Sequence, residues 1–351
     1  MVKQIEIGSE FWKADVREGG QIYNFGHNYR YFLAGRTAID HIIKDIKMTK
    51  SLRTVYMPSY CCQSMIKPFL DNKIEVEFYS IGFQNGCYTY DIDFDKECDA
   101  ILIMQYFGYK NEAVDEIIER FRFNHKVVIE DATHSWFSTN QYSKDVDYVF
   151  MSFRKWTGVV CGAVAIKQKD DFSISIPAQT NLSYLAKRKE ARELKRLFIE
   201  EGIGKKDEFL KRFKEAEDFL NCDYMNYNVP EEDINSILNL DRPEIIKRRK
   251  ANAMFLIDSI SDIKDIETIR ISNEDTPLFV PILVKNGYRN ELQNYLSKND
   301  VYCPIHWPVS VNLKICKDFV YLSSLSLVCD QRYTIDDMRY IARLIKEFFE
   351  K

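Results

Sequence analysis

Two short apolar runs end in groups that could do covalent chemistry. Val127 to Ile129 stops abruptly at Glu130-Asp131, and Tyr148 to Met151 leads into Ser152 and, three residues on, Lys155. A buried strand that ends in a carboxylate aims it at whatever lies beyond the sheet edge. An acid and an amine thus leave neighbouring strand ends with a hydroxyl between them. A carboxylate for a pyridinium nitrogen, a lysine for an aldehyde and donors for a phosphate are the parts needed to hold pyridoxal phosphate. Lysine suits the task because burial and nearby charge are able to make its amine neutral. Asp131 beside the ring nitrogen would keep that nitrogen protonated. His134 would bond the ring hydroxyl or orient Asp131, and Ser152 would donate to the phosphate. Once displaced by an amino donor, Lys155 would be free to carry the proton between substrate and cofactor carbons.

Each residue also has a plainer reading. A lysine after a strand is usually solvent-facing, an aspartate caps helices, and a lone histidine is usually a hydrogen-bonded core residue. Their joint order at strand ends carries the cofactor reading. A metal site from Glu130, Asp131, His134 and His125 is disfavoured, because adjacent strand residues point to opposite faces and no H-x-x-x-H helix pair exists. A serine hydrolase would need a G-x-S-x-G elbow, which is absent.

The series Glu130-Asp131-Ala132-Thr133-His134, then Ser152-Phe153-Arg154-Lys155-Trp156-Thr157-Gly158 and Gly162, resembles the DegT/StrS-type sugar aminotransferases, a family of fold-type-I pyridoxal-phosphate enzymes. The resemblance runs from roughly Gly35 to the C-terminus. It implies Lys155 as the Schiff-base lysine and Asp131 as the ring partner. The spacing from serine to lysine is shorter by two residues than the family's, which marks a divergent branch. Gly35-Arg36-Thr37 opens a helical pattern, where free amides attract anions or simply begin a capped helix. The family places its phosphate cup at such a helix start, which implies cofactor roles for Gly35, Arg36 and Thr37. In the same way the resemblance implies Tyr60 as a ring-stacking aromatic, against a core tyrosine. Met225-Asn226-Tyr227-Asn228 is similar to a segment whose asparagine reaches the cofactor phosphate of a second subunit. That implies Asn226 in a homodimer, against a helix-entry loop. His306 stands near the place of a substrate-binding histidine, against a buried histidine beside Trp307. Gln105 or Tyr106 replaces a usual histidine, and Asn228 an arginine. The implied activity is transfer of an amino group from a donor such as glutamate to a nucleotide-linked keto-sugar. The alternative is a pyridoxal-phosphate lyase or dehydratase on a related sugar or amino acid. The retained lysine favours transfer, since dehydratases resembling the family replace it.

The elements that must position these groups follow from pattern. The chain has 351 residues, 46% of them hydrophobic, and a net charge of −4; its mean hydropathy is −0.34. That length accommodates two domains, and the acidic balance argues against a nucleic-acid binder. No apolar run is long enough for a membrane span. The nine cysteines show no C-x-x-C pair, which fits a reduced cytoplasmic compartment. Strands at 54–57, 76–81 and 100–104 alternate with helices at 35–46, 61–70 and 112–123. This pattern predicts an α/β large domain over residues 26–220, with a mostly parallel, seven-stranded-type sheet between helices. Residues 1–25 read as an N-terminal arm, with the aromatic stretch Tyr23–Phe32 packing on the body or on a second subunit. Residues 184–220 read as solvated helix, 234–260 as one long helix, and 221–351 as a smaller C-terminal α+β domain.

Overall fold

The computed structural model describes residues 6–17, 25, 28–139, 141–307 and 319–350. In chain order the first elements are β1 (Ile7–Gly8), β2 (Tyr29–Phe32), α1 (Gly35–Thr49), β3 (Thr54–Pro58), α2 (Gln63–Asp71), β4 (Glu75–Gln84), β5 (Cys87–Asp91), β6 (Ala100–Met104), α3 (Ala113–Phe123), β7 (Val127–Asp131), β8 (Tyr148–Ser152) and β9 (Ala163–Lys167). A helical hairpin follows, α4 (Leu182–Arg196) and α5 (Lys206–Cys222), then α6 (Glu231–Leu238) and α7 (Arg242–Ile260). The last part holds β10 (Ile266–Thr268), β11 (Val280–Val284), α8 (Arg289–Lys298), β12 (Val301–Tyr302), α9 (Phe319–Ser323), β13 (Ser324–Leu327) and α10 (Ile335–Phe349).

The large sheet has the order β2-β9-β8-β7-β6-β3-β4-β5. The strands from β8 to β4 run parallel, while β5 at one edge and β9 at the other side are antiparallel to their neighbours. β6 and β7 are buried along their whole length. Each apolar side chain such as Ile101, Leu102 or Ile103 therefore contributes roughly 2 kcal/mol to folding. The sheet has eight strands rather than the seven expected. The edge strand β5 is returned by a tight turn at Asn85 (φ 53°) and Gly86 (φ 76°). Left-handed φ at both central residues matches the right-handed twist of the flanking strands.

β10, β11 and β13 form a separate antiparallel sheet, and a second core gathers around it from α7, α8 and α10. α7 bridges the two cores: Ile245 belongs to the first and Leu256 to the second. The single helix expected over 234–260 is two. Asp241 caps α7 by accepting from the Glu244 amide at 3.3 Å, and Pro243 sits in its first turn. Proline is tolerated there but not in a helix interior. The N-terminal segment runs between both parts. β1 pairs in parallel with β12, and the Gly158 amide donates to the Lys13 carbonyl at 3.1 Å. A Cβ at Gly158 would collide with that carbonyl, so only glycine admits the strap. Of the aromatic stretch Tyr23–Phe32, Tyr23, Asn24, Gly26 and His27 lie outside the described residues, as does the start of the arm. Tyr29–Phe32 is not an arm but the edge strand β2, paired with β9.

Candidate active site

β7 and β8 are adjacent and parallel, so Asp131 and Ser152 leave the same end of the sheet. Thr133 ties the two exits together. Its amide donates to Asp131 Oδ1 at 2.8 Å, its hydroxyl accepts from the Ser152 amide at 3.2 Å, and its carbonyl accepts from Trp156 Nε1 at 2.6 Å. Phe153–Lys155 form a single 3-10 turn beyond β8. That turn is pinned from the far side. Arg249 Nη2 and Gln331 Nε2 donate to the Trp156 carbonyl at 3.1 and 2.8 Å, so residues of α7 and of the loop before α10 fix the backbone next to Lys155. Lys155 itself is exposed, and its amine has no hydrogen bond or ion pair among the described residues.

The electrostatics follow from burial. Asp131 is 3% exposed. Loss of solvent pushes its carboxyl up to about 6, against the opposing pull of the Thr133 bonds and the Lys155 charge. Glu130, facing the other way, is pushed up to about 8 by burial and accepts from the Ser143 amide at 2.8 Å. His134 is buried, and its imidazole is held well below the usual range by desolvation first, then by the neighbouring His306 and the Lys155 charge, both of which disfavour a second positive group here. Its Nδ1 accepts from the Phe107 amide at 3.1 Å. The ring is therefore neutral and its remaining proton sits on Nε2, available to a ligand oxygen. The rings of Phe107 and Trp307 lie nearly parallel to it, with centroids 4.9 and 5.7 Å away. His306 contacts the same aromatic group, hydrogen-bonds Ser326 Oγ at 2.8 Å, and is lowered to about 3 by burial and by Lys155.

Some of the predicted residues meet and others do not. Asp131, His134, Ser152, Lys155 and His306 come together, Lys155 and His306 lining one cavity of about 740 Å³. Gly35 joins them: a Cβ placed on it would lie 3.5 Å from Ser152 Cβ, so the start of α1 faces the end of β8. Arg36 and Thr37 turn their side chains away. The guanidinium bonds Asn221 and pairs with Glu217 at 3.6 Å, and the Thr37 hydroxyl donates to the Tyr224 carbonyl at 2.7 Å. What this turn offers a ligand is main-chain amide, since the first N–H groups of a helix have no intrahelical acceptor. Tyr60 is buried in an aromatic cluster, 5.1 Å from Trp307 and 4.9 Å from Tyr321. It stands one ring behind the site, and burial raises its phenol. Asn226, at φ 60°, accepts from Lys44 Nζ at 2.9 Å on the outer side of α1. Gln105 accepts from the Asn111 amide and Tyr106 donates to the Tyr60 carbonyl; both serve the fold.

Thr133, Phe107, Trp307 and Arg249 are the site residues not singled out by pattern. Thr133 alone had a signal, its place inside the acidic turn. The residues fit pyridoxal phosphate in three respects: among the described residues Asp131 has no ion-pair partner, the Lys155 amine has no partner, and the main-chain amides of Gly35 and Arg36, beside Ser152, have no acceptor.

No protein-family model matches the chain, and no curated protein matches it. Solved structures do. PseC from Helicobacter pylori, an aminotransferase involved in the biosynthesis of pseudoaminic acid, aligns at a TM-score of 0.66 and 15% identity, covering 97% of this chain and 100% of its own. The aminotransferase TlmJ from Streptoalloteichus hindustanus aligns at 0.66 and 12% identity over 91% and 85%. GDP-4-keto-6-deoxymannose-3-dehydratase, solved with a trapped PLP-glutamate geminal diamine, aligns at 0.60 and 16% over 90% and 87%. The fold is thus that of the fold-type-I aminotransferases, a sheet-centred large part with a smaller α+β part. At these identities the likeness establishes architecture, and the chemistry rests on the residues of this chain.

Proposed function

We propose that this chain is a pyridoxal-phosphate-dependent aminotransferase of the DegT/StrS type that moves an amino group from an amino-acid donor such as glutamate to a keto-sugar, nucleotide-linked in the simplest case. The observation that carries the reading is Lys155: an exposed amine with no partner among the described residues, facing the cavity beside Asp131, His134 and His306. When bound, the cofactor supplies an electron sink for the substrate's α-carbon. Asp131 would hold the ring nitrogen protonated, His134 Nε2 would donate to the ring hydroxyl, and Phe107 and Trp307 supply flat apolar surface. Ser152 and the amides of Gly35 and Arg36 would hold the phosphate. Lys155 would anchor the cofactor and then carry the proton at its Nζ, and the neutral His306 would bond a substrate hydroxyl or carbonyl.

Asn226 lies on the outer face of α1 rather than in the cavity, so a cofactor role for it requires a second subunit. We read the protein as a homodimer for this reason. Elimination is the second reading, supported by the dehydratase among the structures that share this fold; the intact Lys155 supports transfer over it. The test is direct. Purified protein should be yellow, and a panel of nucleotide keto-sugars offered with glutamate should identify an acceptor by formation of 2-oxoglutarate. Protein that stays colourless after addition of pyridoxal phosphate would sink the reading.

A further inference from the structure

On the helical-hairpin side of the cavity, three guanidinium groups crowd two carboxylates. Arg154 Nη1 donates to Glu217 Oε1 at 2.5 Å and to the Tyr184 hydroxyl at 2.6 Å. Arg188 Nη1 stands 3.6 Å from the same carboxylate oxygen, and Arg36 Nη2 is 3.6 Å from the other. The remaining carboxylate, Glu10, comes from the N-terminal strap and takes Arg188 Nη2 at 2.7 Å. Arg36, Arg154 and Arg188 against Glu10 and Glu217 leave one positive charge in excess. The Arg188 side chain is 4% exposed, yet among the described residues its Nε and Nη1 find no hydrogen-bond acceptor, and neither does Arg154 Nε. Buried donors of a charged group left without acceptors are costly. Glu10, by contrast, is 40% exposed at its side chain. All four of Glu10, Arg154, Arg188 and Glu217 line the same cavity as Lys155.

We propose that Arg188 and Arg154 form an anion subsite for a substrate, taking a carboxylate or phosphate group, and that Glu10 is the resident anion which this group displaces. The idea rests on reading the Lys155 cavity as the substrate site. Its logic is that of a half-satisfied cluster. A fixed pair of guanidinium forks suits a planar carboxylate or a phosphate. Glu10 supplies one such contact but leaves other donors idle. Its strap is anchored independently of that carboxylate, by the pairing of β1 with β12 and by Arg332, which donates to the carbonyls of Ser9 and Glu10 at 3.2 Å. The side chain can therefore swing aside while the strap stays. On the opposite wall Arg332 is spent on Asp330 through two bonds of 2.8 Å, and Arg249 on carbonyls and Gln331, so neither of those guanidinium groups competes with the hairpin side for an anion.

Calorimetric titration tests the subsite without any turnover. Two probes are used, glutarate, a dicarboxylate without an amine, and inorganic pyrophosphate, each added to full-length protein already equilibrated with excess pyridoxal phosphate. Glu10→Gln removes the competing charge and should tighten binding of one probe by about tenfold. Arg188→Gln should weaken the same probe by at least as much, with circular dichroism reporting its fold. Preference for glutarate assigns a substrate carboxylate, and preference for pyrophosphate a substrate phosphate. Unchanged affinity in Glu10→Gln, or no binding of either probe to wild type and Glu10→Gln, overturns the proposal, and that variant decides alone if Arg188→Gln does not fold. Because the heat of anion binding does not depend on a covalent link to Lys155, its absence would leave the cofactor reading standing, whereas a colourless protein that still binds a probe would overturn the substrate role and leave only an anion site.

Discussion

Asp131→Asn separates what the carboxylate costs the fold from what it does for chemistry. The side chain is 3% exposed, and burial raises its carboxyl from the ordinary 3.8 to about 6. That rise corresponds to about 3 kcal/mol. The sign follows from linkage. A carboxyl whose folded pKa lies above its unfolded one binds its proton more tightly when folded. Its contribution is most favourable below about pH 4 and is lost as the pH rises through about 6. At pH 7.5 the cofactor-free protein therefore bears nearly the full cost. Asparagine keeps the shape and the acceptor for the Thr133 amide but carries no charge. Urea unfolding of the cofactor-free proteins should find Asp131→Asn the more stable by up to about 3 kcal/mol at pH 7.5, with the advantage shrinking towards pH 4. With pyridoxal phosphate added, the same variant should colour normally, yet its single-turnover conversion with glutamate should fall by about 10²–10³-fold, the usual loss for one well-placed electrostatic group. A variant less stable than wild type at pH 7.5 would mean that the chain itself already balances the charge. Normal conversion rates would mean that Asp131 is not the ring partner.

Lys155→Ala should still bind the cofactor, but borohydride should no longer fix the cofactor's mass to the peptide that contains this position, and turnover should fall by at least about 10⁴-fold; fixation elsewhere at wild-type yield would reject the assignment. His306→Ala should impair turnover while cofactor affinity holds. Because burial lowers His306 to about 3, the wild-type rate should show no inflection from this residue between pH 5 and 8, and wild-type turnover in the variant would exclude a substrate role. Sedimentation at micromolar concentration should give a dimer mass, and Asn226→Ala should keep that mass while loosening the cofactor; a monomer that binds cofactor at full affinity would contradict the shared site.

The sequence by itself determined the elements whose residues satisfy one local rule. The stripe Ala38, Ile39, Ile42, Ile43 and Ile46 makes α1 because helical spacing puts these residues on one buried face. α10 begins at its capping box, Thr334 with Asp337. The apolar runs that end in Asp131 and Ser152 are β7 and β8 because only a strand covered on both faces suits an uninterrupted apolar run. Asn85-Gly86 carried an equally local signal, and β5 follows from it. The break before α7 was likewise written in Asp241 and Pro243. Tertiary structure decided which side chains meet. Arg36 and Thr37 face α5 and the turn after it because Glu217 and the Tyr224 carbonyl lie there, far away in sequence. Phe107 and Trp307 flank His134 only because a β6 loop and the segment after β12 converge on it. Residues 184–220 read as solvated helix, yet Arg188 and Glu217 are drawn into the cavity wall once the hairpin closes on the turn that carries Arg154. Local pattern registers which face of an element is apolar. It carries no term for the partner that a distant segment brings to that face, and burial, pKa and hydrogen-bond pairing at this site are set by those partners.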